Sequence, residues 1–210
     1  MNKRWTGLLA GLLLGAATAV SHAAPIVAGR IWLVPSGVAA NATPANVPGV
    51  TPDVTFLAPS DPLYFDSRLN PDAYNLGNFL ATGGAFNVIE NTPGALLNTT
   101  NDHLYEFTGK VTVTNGELFN ILHDDGLTLI IGGLTVVSAP GPTAPVLTSA
   151  TYAGPSGTFD FQLVYGECCG APAALRVELP LVSEVPEPAS VLLVGTVLLG
   201  LGIVRRRRAV

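Results

Sequence analysis

Two short clusters hold the residues best equipped for chemistry. His123-Asp124-Asp125-Gly126 places two adjacent carboxylates and a glycine directly after an apolar stretch. Carboxylates on a loop suit a hard divalent cation. Calcium takes about six to eight oxygens, and side-chain and carbonyl oxygens supply them without rigid geometry. The same residues also read as an acidic turn, since Asp-Gly is a favoured type I′ hairpin pair. The second cluster is Cys168-Cys169, the only cysteines of the chain. Adjacent Cα atoms lie about 3.8 Å apart, below the usual disulfide range of about 4.4–6.8 Å. A vicinal disulfide between them would be a tight ring that locks a loop. Two free thiols and a cross-link between chains are the alternatives. Cys-Cys lacks the spacing of a zinc knuckle or a redox Cys-x-x-Cys, which sets metal-thiolate chemistry aside.

No catalytic constellation emerges. His103 and His123 have no partner at metalloprotease spacing. Ser156 lies in Gly154-Pro155-Ser156-Gly157, which is not a nucleophile elbow. Carboxylates are plentiful, but no two stand out as acid and base, so the chain reads as a non-enzyme. His103 is expected in a loop beside Asp102. His123, in phase with Phe119 and Ile121, is expected to pack rather than react.

The elements that must position these residues are short strands. Ile26–Val34 is an apolar run ended by Pro35-Ser36-Gly37, and Ser36–Pro52 reads as an irregular loop. Asp53–Leu57, Leu63–Phe65 and Ala85–Glu90 are short strand candidates. Between the last two, Asn70 as cap and Pro71 in the first turn predict one helix reaching Leu80. From Leu104 the alternation becomes regular. Tyr105, Phe107, Val111 and Val113 share one face, with Glu106, Thr108, Lys110, Thr112 and Thr114 on the other. Asn115-Gly116 is a tight hairpin signal before Leu118–His123. Asp124-Asp125-Gly126 turns the chain into Leu127–Ile131, and Gly132-Gly133 turns it again into Leu134–Val137. Gly157–Tyr165 and Ala173–Leu179 alternate in the same way. Many short alternating strands joined by glycine and proline predict an all-β protein, an antiparallel β-sandwich or jelly-roll-like domain.

The termini carry addresses. Lys3 and Arg4 precede the apolar run Leu8–Val20, and Ser21-His22-Ala23 offers a cleavage site, so residues 1–23 read as a signal peptide. Cleavage after Ala24 and an uncleaved anchor are the alternatives. At the other end Pro186-Glu187-Pro188 precedes an uncharged run, 189–204, and then Arg205, Arg206, Arg207 and Arg208. Sixteen helical residues span about 24 Å, slightly short of a hydrocarbon core of about 30 Å. Snorkelling by Arg205 and local thinning close that gap. The arginines hold the cytoplasmic side, so the preceding residues face outward. A buried core helix is the alternative that this basic stop opposes. The exported domain is then residues 24–183. Residues 25–184 hold four cations (Arg30, Arg68, Lys110 and Arg176) against fourteen carboxylates, a formal charge of −10. That excludes nucleic-acid binding by phosphate neutralisation and suits divalent cations or plain solubility.

The C-terminal residues resemble the PEP-CTERM sorting signal, through Val185-Pro186-Glu187-Pro188-Ala189-Ser190, the Leu/Val/Gly run and the four arginines. The resemblance covers 184–210. It implies processing by an exosortase, a membrane-embedded transpeptidase-like enzyme, and an association with Gram-negative surfaces, exopolysaccharide and biofilm. Residues 104–179 resemble the protective-antigen-type β-sandwich found in bacterial surface proteins, glycosidases and fungal adhesins. The resemblance rests on Gly116-Glu117-Leu118-Phe119, Asp124 through Gly133, Gly157 through Phe161, Tyr165-Gly166-Glu167 and Leu175-Arg176-Val177. In its lectin-like members an Asp-Asp pair in the matching turn binds calcium, which in turn holds a sugar. That implies Asp124 and Asp125 as metal ligands, with Glu167–Ala171 as the second wall. The chain departs from the family at Gly132, where an Asp is usual, and the quoted motifs do not place the additional Asn ligand of the adhesins. The expectation is an exported surface or matrix protein that binds carbohydrate with calcium. The alternatives are a purely structural envelope protein with no small ligand and a hydrolase on the same scaffold.

Overall fold

The computed structural model describes residues 26–59, 62–70, 72 and 74–180. The signal segment 1–23, the sorting motif Pro186-Glu187-Pro188, the apolar run 189–204 and Arg205–Arg208 lie outside them. Among the described residues no helix is long and apolar enough to cross a membrane.

Among the described residues eleven strands form two antiparallel sheets. In chain order they are β1 (Ile26–Leu33), β2 (Val54–Pro59), β3 (Leu63–Asp66), β4 (Phe86–Glu90), β5 (His103–Val113), β6 (Leu118–Asp124), β7 (Leu127–Ile131), β8 (Leu134–Ala139), β9 (Val146–Thr151), β10 (Gly157–Glu167) and β11 (Ala174–Val177). The larger sheet runs β4-β2-β1-β5-β10-β7-β8 and the smaller β3-β11-β6-β9. The long pair β5/β10 forms the spine, in register from Val113 opposite Gly157 to His103 opposite Glu167. Period-2 alternation aims Tyr105, Phe107, Phe161, Leu163 and Tyr165 at Phe119, Ile121, Leu175 and Val177 of the smaller sheet, and all of these are buried. The Phe65 ring lies within 6.0 Å of the rings of Phe56, Phe79 and Phe107. Each such side chain contributes about 1.5–3 kcal/mol on burial.

Several local expectations are corrected. Asn115-Gly116 does not close a hairpin, because β5 and β6 lie in different sheets. The Gly116 N–H instead donates to the carbonyl of Tyr152, which carries the turn across the sandwich. Asp124-Asp125-Gly126 is likewise a crossing, from β6 in the smaller sheet to β7 in the larger, and not a type I′ turn. Gly126 does not have positive φ; Gly132 and Gly133 do, at 57° and 81°, and they close a true two-residue hairpin between Ile131 and Leu134. The expected helix begins later, as α2 (Leu76–Thr82), because Asn75 rather than Asn70 caps it by accepting the Asn78 N–H. Leu76, Phe79 and Leu80 bury its inner face. Asn70 accepts the Asp72 N–H in a local turn, and Pro71 lies outside the described residues. Strand β9, whose Thr148, Ser149 and Thr151 dilute its apolar signal, was not anticipated.

The stretch read as an irregular loop contains a short helix, α1 (Ser36–Ala39), on the outer face of the larger sheet. There Trp32, Val34, Ala39, Ala42, Leu104, Val164 and Cys168 form a second, smaller apolar cluster. Gly166 makes this packing possible, since a Cβ there would stand 2.1 Å from the carbonyl oxygen of Ala39.

Candidate cation site at the sheet crossing

The crossing between β6 and β7 is held by hydrogen bonds on every side. The Asp124–Asp125 peptide is cis. Asp125 accepts the Thr143 N–H on Oδ1 at 3.0 Å and the Cys168 N–H on Oδ2 at 2.9 Å. Its carbonyl faces His123 Nδ1 at 2.5 Å. A carbonyl only accepts, so Nδ1 carries the proton, and Nε2 accepts from the Thr148 hydroxyl at 2.7 Å. Burial holds the His123 pKa down, in keeping with this neutral tautomer. His123 therefore packs, as its phase in β6 predicts, and it also positions the Asp125 backbone. Gly126 is required by close approach: a Cβ would meet the Pro140 carbonyl oxygen at 2.1 Å. The segment after β8 is thereby pressed against the crossing, which brings Thr143 within reach of Asp125.

A third carboxylate joins the pair. Glu167, at the end of β10, is fully buried, while Asp124 and Asp125 are each 5% exposed. One oxygen from each of the three lies within 4.8 Å of the others. Burial and the two aspartates push Glu167 up to about 10, and burial with Asp125 pushes Asp124 up to about 6. The Tyr165 hydroxyl donates to the Asp124 carbonyl and lies 2.7 Å from Glu167 Oε2. One hydroxyl has one proton, so Glu167, with its pKa pushed up, supplies the second. Glu167 Oε1 is buried without a partner. Among the described residues no ion pair reaches any of these carboxylates. Arg68, whose charge is felt at Asp124, is committed to Asp66 through Nε and Nη2 at 2.6–3.1 Å.

Buried carboxylates without compensating cations are costly, and an oxygen-rich cluster of this kind fits a hard divalent ion. Asp124, Asp125 and Glu167 would hold it. The cysteines would not, because Cys168 and Cys169 are joined in a vicinal disulfide and offer no thiolate. Beside the carboxylates opens a cleft of about 360 Å³, walled by Pro142–Pro145 on one side and Cys168–Pro172 on the other.

Sequence reading places Asp124 and Asp125 together with Glu167–Ala171 as opposing wall, and the structure juxtaposes them. It does not single out Glu167 as a carboxylate of the cluster, nor Thr143, Tyr165 and His123 as its supports. The available signal is phase: Tyr165 and Glu167 share the inward face of β10, so an acid continues a buried stripe. His103 is corrected. It is the first residue of β5 rather than a loop residue, buried, with Nδ1 donating to the Asn101 carbonyl at 2.7 Å. Ser156 is exposed and accepts the Asn115 N–H at 2.9 Å, a structural role.

The fold is similar to that of PA14 domains. It resembles the PA14 domain of the MpAFP antifreeze protein with a TM-score of 0.51 and 18% identity, over 77% of this chain and 84% of that one. The PA14 sugar-binding domain from an RTX adhesin gives a TM-score of 0.47 and 16% identity, over 74% and 88%. Residues 184–208 match the PEP-CTERM protein-sorting motif, so the chain carries that motif. No curated protein matches the chain.

Proposed function

We propose that this is an exported surface protein whose β-sandwich binds calcium through Asp124 and Asp125 and, through the calcium, a sugar of the extracellular polysaccharide. The observation that carries the reading is the convergence of three buried carboxylates, of which Asp124 and Asp125 line a cleft and Glu167, behind them, has an orphaned oxygen. Bound calcium would supply charge compensation and open coordination positions for hydroxyls. Glu167 would complete the ligand set on losing its proton. The hydrogen bonds from Thr143, Cys168 and His123 hold the Asp125 side chain and carbonyl in place before any ligand arrives. The likeness of the fold to PA14 domains supports the same direction. Residues 1–23 direct export, and 189–204 with Arg205–Arg208 anchor the chain until an exosortase acts near Pro186-Glu187-Pro188, delivering it to the cell surface or matrix.

The test is a thermal melt of the full chain, purified in detergent, with calcium and with chelator. Calcium at 100 times its dissociation constant adds about 2.7 kcal/mol, a shift of several degrees for a domain of this size. No shift across millimolar calcium removes the metal and leaves a structural envelope protein as the reading.

A further inference from the structure

Among the described residues no aromatic side chain lines the cleft beside the carboxylates. Small-ligand sites combine a few placed polar groups with a larger apolar surface, and a sugar ring needs such a surface for its C–H face. Here the apolar surface comes from Pro142, Ala144, Pro145, Ala171, Pro172 and the disulfide. The disulfide is the one held against the cation site. The Sγ atoms of Cys168 and Cys169 and a carboxylate oxygen of Asp125 all lie within 4.8 Å of one another. Cys168 is fully buried in the second apolar cluster, and its N–H donates to Asp125 Oδ2. Cys169 is exposed, with φ of 67°. One sulfur is thus backed by packed side chains, and the other faces the cleft. Being covalently closed, the pair has almost no rotamer freedom to lose when a ligand settles on it.

We infer that the Cys168–Cys169 disulfide is the apolar seat for the undecorated C–H face of a neutral pyranose whose vicinal hydroxyls are held by the cation at Asp124 and Asp125. The inference rests on the calcium reading of the site. A neutral sugar is specified because the net charge of −10 over residues 25–184 disfavours anionic ones. The disulfide acts on sugar affinity and geometry and takes no part in holding the ion.

The test uses the full chain in detergent. Calcium alone is titrated calorimetrically first. The methyl glycosides of glucose, mannose, galactose and fucose are then titrated in saturating calcium. Three forms are compared with the native protein: Cys168→Ala/Cys169→Ala, Cys169→Ala, and native protein reduced with a phosphine. Cys169→Ala leaves Cys168 in its packing as a free thiol and removes the cleft-facing sulfur together with the S–S bond, so it covers the case in which the double variant fails to fold. The expected result is calcium affinity within about twofold of native and glycoside affinity lower by roughly tenfold or more, the scale of losing one apolar contact in a pocket. Unchanged glycoside affinity overturns the inference. So does a parallel loss of calcium and glycoside, which would make the disulfide a support for the ion alone. Calcium binding without any glycoside binding overturns it while leaving the cation site standing, whereas absence of calcium binding in the native protein overturns the site itself.

Discussion

Asp125 is a ligand candidate and also a bracket, and the two roles separate by substitution. Its two carboxylate oxygens accept backbone N–H groups from Thr143 and Cys168, segments 18 and 43 residues away in sequence. Hydrogen bonds to charged groups are each worth about 1.5–3 kcal/mol. Asp125→Ala removes both acceptors and strands two N–H groups where Asp125 was nearly buried. The worked loss is about 3–6 kcal/mol, measured by urea denaturation in chelator. Asp125→Asn keeps one good acceptor and an isosteric shape, so in chelator it should lose only about half as much. With calcium the ranking changes. Native protein gains about 2.7 kcal/mol at 100 times the dissociation constant, and both variants gain little, because a neutral amide is a poor ligand. Asp125→Ala within 1 kcal/mol of native in chelator would refute the bracket. Asp125→Asn with native calcium stabilisation would refute the ligand.

Three further outcomes follow from the same geometry. Glu167 has a folded pKa of about 10 against 4.5 for the free group, so the stability it contributes is complete below about pH 4.5 and drains away as pH rises toward 10. At pH 7 the deficit is on the order of 3 kcal/mol; Glu167→Gln, which can still donate to Tyr165, should therefore raise the chelator melt at pH 7 and lower calcium affinity. Calcium binding requires Asp124 ionised, its pKa being raised to about 6, and displaces the Glu167 proton, held up to about 10, so calorimetric affinity should rise by about tenfold per pH unit from about 6 toward 10 and fall more steeply, by about a hundredfold per unit, below 6. Gly126→Ala drives a Cβ into the Pro140 carbonyl; overpacking of this kind costs about 1–3 kcal/mol, and the variant should also lose calcium affinity as Thr143 is pushed from Asp125.

The strands were legible because burial on one face writes period-2 alternation. Tyr105, Phe107, Val111 and Val113 declare β5 without ambiguity, and Phe161, Leu163 and Tyr165 declare β10. Sheet membership was not legible. Asn115-Gly116 has the composition of a hairpin, but composition sets local dihedrals and not which sheet the next strand joins. Asp124-Asp125-Gly126 failed in the same way, since its glycine serves proximity to Pro140, a contact 14 residues distant that no local pattern records. β9 was hidden because an edge strand with an exposed face has little apolar signal to give. The site was half legible. Two adjacent aspartates announce themselves, while Glu167, Thr143 and His123 acquire their roles only when remote segments meet.

That remoteness bears on the order in which the molecule is built. The cluster draws on residues 124–125, 143 and 165–168, and the spine pairs His103 with Glu167, 64 positions apart. A topology with such high contact order folds slowly, because loop closure must precede the contacts that reward it. A chain interrupted before Glu167 has the aspartate pair but neither the third carboxylate nor the N–H of Cys168. The competent cluster is therefore a late product of folding, and a cation that recognises it would act as a latch on the finished domain alone.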